Sequence, residues 1–127
     1  MAKQILLVED NEDIRVLVKL ILDDAGYTVL PAESGEDGLR LLQDQPIDLA
    51  ILDIMLPTIN GWEVCRQIRN TPRLAHLPVL IFTVRSERLD RSKPERDLAD
   101  GFLNKPFEKQ ELLEAVKQML EREKQPL

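Results

Sequence analysis

Continuous apolar runs of strand length constrain this chain more than any other feature. They occur in Ile5-Leu6-Leu7-Val8, in Asp48-Leu49-Ala50-Ile51-Leu52 and in Pro78-Val79-Leu80-Ile81-Phe82. A strand that does not alternate apolar with polar residues must be covered on both faces. Weaker strand signals stand at Thr28-Val29-Leu30 and Gly101-Phe102-Leu103-Asn104. Between the strands lie helical periods. Ile14, Leu17, Val18, Ile21, Leu22 and Ala25 form one stripe, stopped by Gly26. Ser34 with Asp37 and Asn60 with Glu63 read as helix starts. They precede Leu39, Leu41 and Leu42 in one case and Val64, Cys65 and Ile68 in the other, and Leu112, Leu113, Val116, Met119 and Leu120 supply the last helix. The pattern is a βα unit repeated five times with one weak helix. It implies an α/β, doubly wound parallel sheet between two helical layers.

Composition narrows the function. A chain of 127 residues is one domain by size, expected over residues 1–121 with a polar tail at 122–127. One cysteine and one histidine exclude a disulfide framework and multi-histidine metal sites. No apolar run reaches membrane-span length and no signal peptide is expected, so the expected compartment is the cytoplasm. Residues 1–64 carry 4 basic and 13 acidic groups (−9), and residues 65–127 carry 13 and 10 (+3). An acidic chain is a poor candidate for duplex DNA, and no nucleic acid contact is expected. The acidic half could be a solvated surface or a local site for a cation.

Polar residues follow four of the strands: Glu9-Asp10, Asp53, Thr83 and Lys105. Singly, each has an ordinary explanation. Glu9-Asp10 with Glu12 and Asp13 suits a helix start, Asp53 a turn before Pro57, Thr83 a strand, and Lys105-Pro106 a solvated turn. Jointly, a parallel sheet brings them all to its carboxyl edge, where such folds bind ligands. Three close carboxylates repel unless a cation intervenes, and hard oxygen ligands suit Mg²⁺. One carboxylate could then act as a nucleophile toward a phosphoryl group, with the lysine and the hydroxyl holding its oxygens.

With these residues in place, the chain resembles the response-regulator receiver domain of two-component signalling over nearly its whole length. The resemblance rests on Ile5-Leu6-Leu7-Val8-Glu9-Asp10-Asn11, on Asp53-Ile54-Met55-Leu56-Pro57 with Asn60-Gly61, on Thr83, and on Lys105-Pro106-Phe107. It implies a flavodoxin-like (βα)5 fold with strand order 2-1-3-4-5. It implies that Asp53 accepts phosphate from a histidine kinase or phosphotransfer protein and passes the signal to a downstream protein. Asp10, Asp53 and the Met55 carbonyl would bind Mg²⁺, and Glu9 would assist through water. Lys105 and Thr83 would hold the phosphoryl oxygens. Phe102 would be the aromatic that turns inward when Thr83 moves, and the Lys105–Pro106 bond would be cis.

Three departures from the family pattern stand out. Val84 takes a position that is usually small, where it would crowd the path to Asp53, and Leu98 replaces a glycine. Ser86–Arg96 lacks an apolar face and contains Pro94, which costs about 3 kcal/mol in a helix interior. A loop or short turn is therefore expected over Ser86–Lys93, with any fourth helix short or irregular and displaced toward Lys93–Ala99, leaving the first and fifth helices as docking faces. Cys65 reads as a small buried hydrophobe, Trp62 as partly packed or a partner contact, and His76 as a loop residue. Rival readings are a receiver-like interaction module working without phosphorylation and a haloacid-dehalogenase-type phosphohydrolase. The latter needs a second acid where Met55 stands. A nucleotide-binding module lacks its glycine-rich loop.

Overall fold

The computed structural model describes residues 2–84 and 98–124. The expectations for Ser86–Lys93 and for a displaced fourth helix fall largely on residues 85–97, outside the described residues, as does the side chain of Val84. Five parallel strands form one sheet in the order β2-β1-β3-β4-β5. They are β1 (Gln4–Val8), β2 (Thr28–Ala32), β3 (Leu49–Asp53), β4 (Val79–Val84) and β5 (Gly101–Lys105). The described helices are α1 (Glu12–Asp24), α2 (Gly35–Asp44), α3 (Gly61–Asn70) and a C-terminal helix α4 (Lys109–Lys124). The last helix runs three residues beyond 121. None of the described helices is long and apolar enough to cross a membrane.

Strand alternation divides the apolar runs between two cores. Ile5, Leu7, Leu49, Ile51, Leu80 and Phe82 meet α1 and α4 on one face. Leu6, Val8, Ala50, Leu52, Val79 and Ile81 meet α2 and α3 on the other. The runs are apolar throughout because both faces are covered. The weakness of β2 has a cause: Pro31 lies within it, and β2 is an edge strand, where a missing N–H costs least.

The helix starts form as their residue types dictate. The Ser34 hydroxyl accepts from the Asp37 N–H, and Asn60 Oδ1 accepts from the Glu63 N–H. Beyond α1, Gly26 adopts φ +99°, a left-handed turn. The α1 stripe departs from expectation in one respect. Leu17 is 52% exposed although its spacing predicts a core position. Val18 and Leu22 are the buried residues of α1, whereas Leu17 lines a groove with Pro106 and Phe107.

An unpredicted clamp joins α3 to the start of β5. Arg69 donates to the carbonyls of Leu98, Ala75 and Leu77 and pairs with Asp100 at 2.7 Å. Cys65 is buried and its thiol meets the Leu98 carbonyl at 3.2 Å. Burial pushes that thiol's pKa up to about 11, so it is an inert packing group. His76 is exposed in the loop before β4.

Candidate functional site

The strand order reverses between β1 and β3, and the carboxyl ends of these strands hold the acidic residues. Glu9 and Asp10 follow β1, and Asp53 ends β3. One carboxylate oxygen from each of the three lies within 4.8 Å of the others. Lys105, at the end of β5, donates to Glu9 Oε1 at 2.7 Å and to Asp53 Oδ2 at 2.9 Å. Asp53 Oδ1 accepts from the Met55 N–H at 3.0 Å, and Glu9 Oε2 accepts from the Asn11 N–H at 3.1 Å. Glu9, Asp53 and Thr83 are the buried polar side chains among the described residues, whereas Asp10 is exposed.

Burial raises the Glu9 pKa to about 7, and the Asp53 carboxylate adds to the rise, while Lys105 and the Asn11 N–H oppose it. Burial pulls the Lys105 pKa down, but the hydrogen bonds it donates to Glu9 and Asp53, together with their negative charges, outweigh it and the net direction is up. Lys105 is therefore a fixed ammonium between two carboxylates. With Glu9 ionised, three carboxylates against one ammonium leave an uncompensated negative site built from hard oxygen donors, which fits a small divalent cation.

The loop after β3 is shaped by backbone contact. The Gly61 N–H donates to the Ile54 carbonyl at 3.0 Å. A Cβ at Gly61 would collide with the Asp53 carbonyl oxygen, so only glycine lets α3 start this close to Asp53. Thr58 in the same loop adopts φ 64°, a strained value for a β-branched residue. The loop borders a cleft of 430 Å³ lined by Asp10, Met55, Pro57, Asn60 and Trp62, among others.

The residues singled out from the sequence divide into two groups. Glu9, Asp53 and Lys105 touch one another, with Asp10 beside them and Met55 on the cleft wall. Thr83 is buried on β4, one residue past Phe82, which pairs with Asp53. Phe102 stands apart from the acids. It lies on the α3 face of β5, where its ring meets Trp62. The Lys105–Pro106 bond is cis.

Sequence reading missed two supports of the acidic loop. Asn11 Oδ1 caps α1 by accepting from the Ile14 N–H, and Arg15 donates to the Glu9 carbonyl at 2.8 Å. An asparagine directly before an apolar helical period was the available signal for the cap. Nothing in the spacing marked the Arg15 contact. Beside the site, Ile14, Leu17, Lys105, Pro106 and Phe107 line a groove of 350 Å³. Val16 and Leu20 extend the apolar surface of α1, at 58% and 64% exposure.

Known proteins resemble this chain along most of its length. The model of the response regulator receiver domain matches residues 5–117. The chain is 41% identical over 118 residues to the transcriptional regulatory protein AfsQ1 of Streptomyces coelicolor, covering 93% of this chain and 51% of that protein. It thus spans about half the length of the curated relatives it matches. Among solved structures it is similar to the chemotaxis response regulator CheY4 of Vibrio cholerae. The TM-score is 0.87 at 30% identity, covering 94% of this chain and all of that one (100%). It is also similar to the response regulator protein TrrA of Thermotoga maritima in complex with Mg(2+)-BeF. There the TM-score is 0.84 at 37% identity, covering 93% and 99% of the two chains. The matched span reaches all five strands of the sheet and includes Glu9, Asp10, Asp53 and Lys105, and this chain belongs to the response-regulator receiver domain family.

Proposed function

We propose that this domain is a phosphorylation-controlled switch that accepts a phosphoryl group on Asp53 from a histidine kinase or histidine phosphotransfer protein in the cytoplasm. The observation that carries the reading is the convergence of Glu9, Asp10 and Asp53 within 4.8 Å, with Lys105 bonded to two of them. Receiver domains are signalling domains rather than turnover enzymes. The chemistry proposed is confined to the domain's own aspartate, which gains a phosphoryl group and later loses it to water.

An Asp53 carboxylate oxygen attacks phosphorus and a P–O bond forms. The P–N bond to the donor imidazole breaks, and the imidazole nitrogen keeps the electron pair and takes up a proton. Lys105 on Oδ2 and the Met55 N–H on Oδ1 orient the Asp53 carboxylate before a donor arrives. Asp10, Asp53 and the Met55 carbonyl would hold Mg²⁺, with Glu9 assisting through water. The cation supplies the positive charge that lets an anionic donor approach three carboxylates. Lys105 and Thr83 hold the transferred oxygens, and Phe102 turns inward as Thr83 moves. The exposed apolar face of α1 borders the groove that shares Lys105 with the acidic cluster, which suits it to dock the donor protein.

The test is intact mass after incubation with Mg²⁺ and acetyl phosphate. The wild type gains one acid-labile phosphoryl group, and Asp53→Asn gains none. Labelling that survives a chelator, or that persists in Asp53→Asn, overturns the assignment.

A further inference from the structure

Trp62, the single tryptophan, is the second residue of α3. Trp62 lines the cleft beside the acidic cluster, which Asp10, Met55 and Asn60 also line. Its ring centroid lies 6.0 Å from that of Phe102, with the planes tilted by 58°. Separation and tilt both fall in the range that aromatic pairs favour. The backbone beneath the indole is pinned. Gly61 bonds to the Ile54 carbonyl, and Asn60 caps the helix. Trp62 is thus held relative to Asp53 on one side and packed against β5 on the other. Both rings are only half-buried, so they have room to change rotamer. Phe102 cannot rotate without breaking this contact or carrying the indole with it.

We propose that Trp62 is a positioning residue that couples occupancy of the acidic site, through the adjoining cleft that shares Asp10 with it, to the orientation of Phe102. The coupling rests on the reading that Asp53 is phosphorylated. Trp62 borders the cleft on one side and is the ring partner of Phe102 on the other, so a change at either place is felt at the other. An aromatic pair of this kind shifts an equilibrium about two- to tenfold.

A double-mutant cycle on the full chain tests the coupling. Affinity for beryllofluoride, a phosphoryl mimic, is read by fluorine NMR at saturating Mg²⁺ in wild type, Trp62→Leu, Phe102→Leu and the double variant. Each single variant is expected to shift the affinity about two- to tenfold, the double variant no further than either single one, and Trp62→Phe to restore the wild-type value. Wild-type indole emission should change on adding beryllofluoride to the Mg²⁺-loaded protein, and this response should be at least halved in Phe102→Leu. Additive single effects, or an emission response identical in wild type and Phe102→Leu, overturn the coupling. The emission comparison keeps Trp62 in place and decides the matter if Trp62→Leu does not fold. Acetyl phosphate labelling of wild type separates the two ideas. An unlabelled Asp53 removes the phosphorylation reading and the coupling with it, whereas a labelled Asp53 with an additive cycle removes the coupling alone.

Discussion

The interior of the sheet and its carboxyl edge are made of the same strands but obey different rules. In β3, Ile51 and Leu52 are fully buried between apolar layers, and the next residue, Asp53, is buried beside Glu9. In β4 the change from Phe82 to Thr83 is equally abrupt. Burying an apolar side chain stabilises the fold by about 1.5–3 kcal/mol. Burying a carboxylate costs several kcal/mol unless it is paired. Lys105 offsets part of that cost for two of the three acids, and negative charge remains uncompensated. The interior is built for stability, and the edge gathers charge at the expense of stability.

The separation of roles can be broken or sharpened by experiment. The largest effect should come from the interior. Ile51→Ala should lose about 2–5 kcal/mol, read from the denaturant midpoint, while Asp53 labelling per folded molecule stays at the wild-type level. A loss of labelling with little loss of stability would merge the two regions. At the edge, Mg²⁺ at a hundredfold excess over its dissociation constant should stabilise the wild type by about 2.7 kcal/mol. Asp10→Ala should lose most of that gain, yet without Mg²⁺ it should melt no lower than wild type, because one of three repelling carboxylates is gone. Equal Mg²⁺-dependent melting shifts in the two proteins would move the cation elsewhere. The smallest effect concerns strain. A left-handed backbone costs an ordinary residue about 1–2 kcal/mol, and glycine returns up to about 1 kcal/mol of that through unfolded-state entropy. Thr58→Gly should therefore stabilise by about 0.5 kcal/mol in chemical denaturation. An unchanged or lower midpoint would show that Thr58 is held by contacts worth its strain.

Most of the fold could be read from the chain because its determinants are local. Unbroken apolar runs mark strands covered on both sides, and Ser34, Asn60 and Gly26 punctuate the helices where their chemistry requires. The acidic cluster could be read because a parallel sheet carries every strand end to one edge. What stayed hidden was long-range and geometric. Arg69 reaches carbonyls of Leu98, Ala75 and Leu77 that have no side-chain signature, and the Arg15 clamp also bonds to main chain. Leu17 fits the helical period as well as any core residue, yet it is exposed. The Trp62–Phe102 contact joins residues from separate elements, and no spacing rule links them.

The Lys105 tie spans 96 positions to Glu9 and 52 to Asp53. Synthesis runs from the amino terminus, so a nascent chain that has emerged only as far as β4 carries those carboxylates without this ammonium between them. Contacts this distant in sequence form late, after the loops they close have paid their entropy. On the proposed chemistry, the capacity to take up phosphate arrives with the final strand. A truncated or misassembled copy would stay silent, and the same lysine that orients the aspartate would restrict signalling to finished molecules.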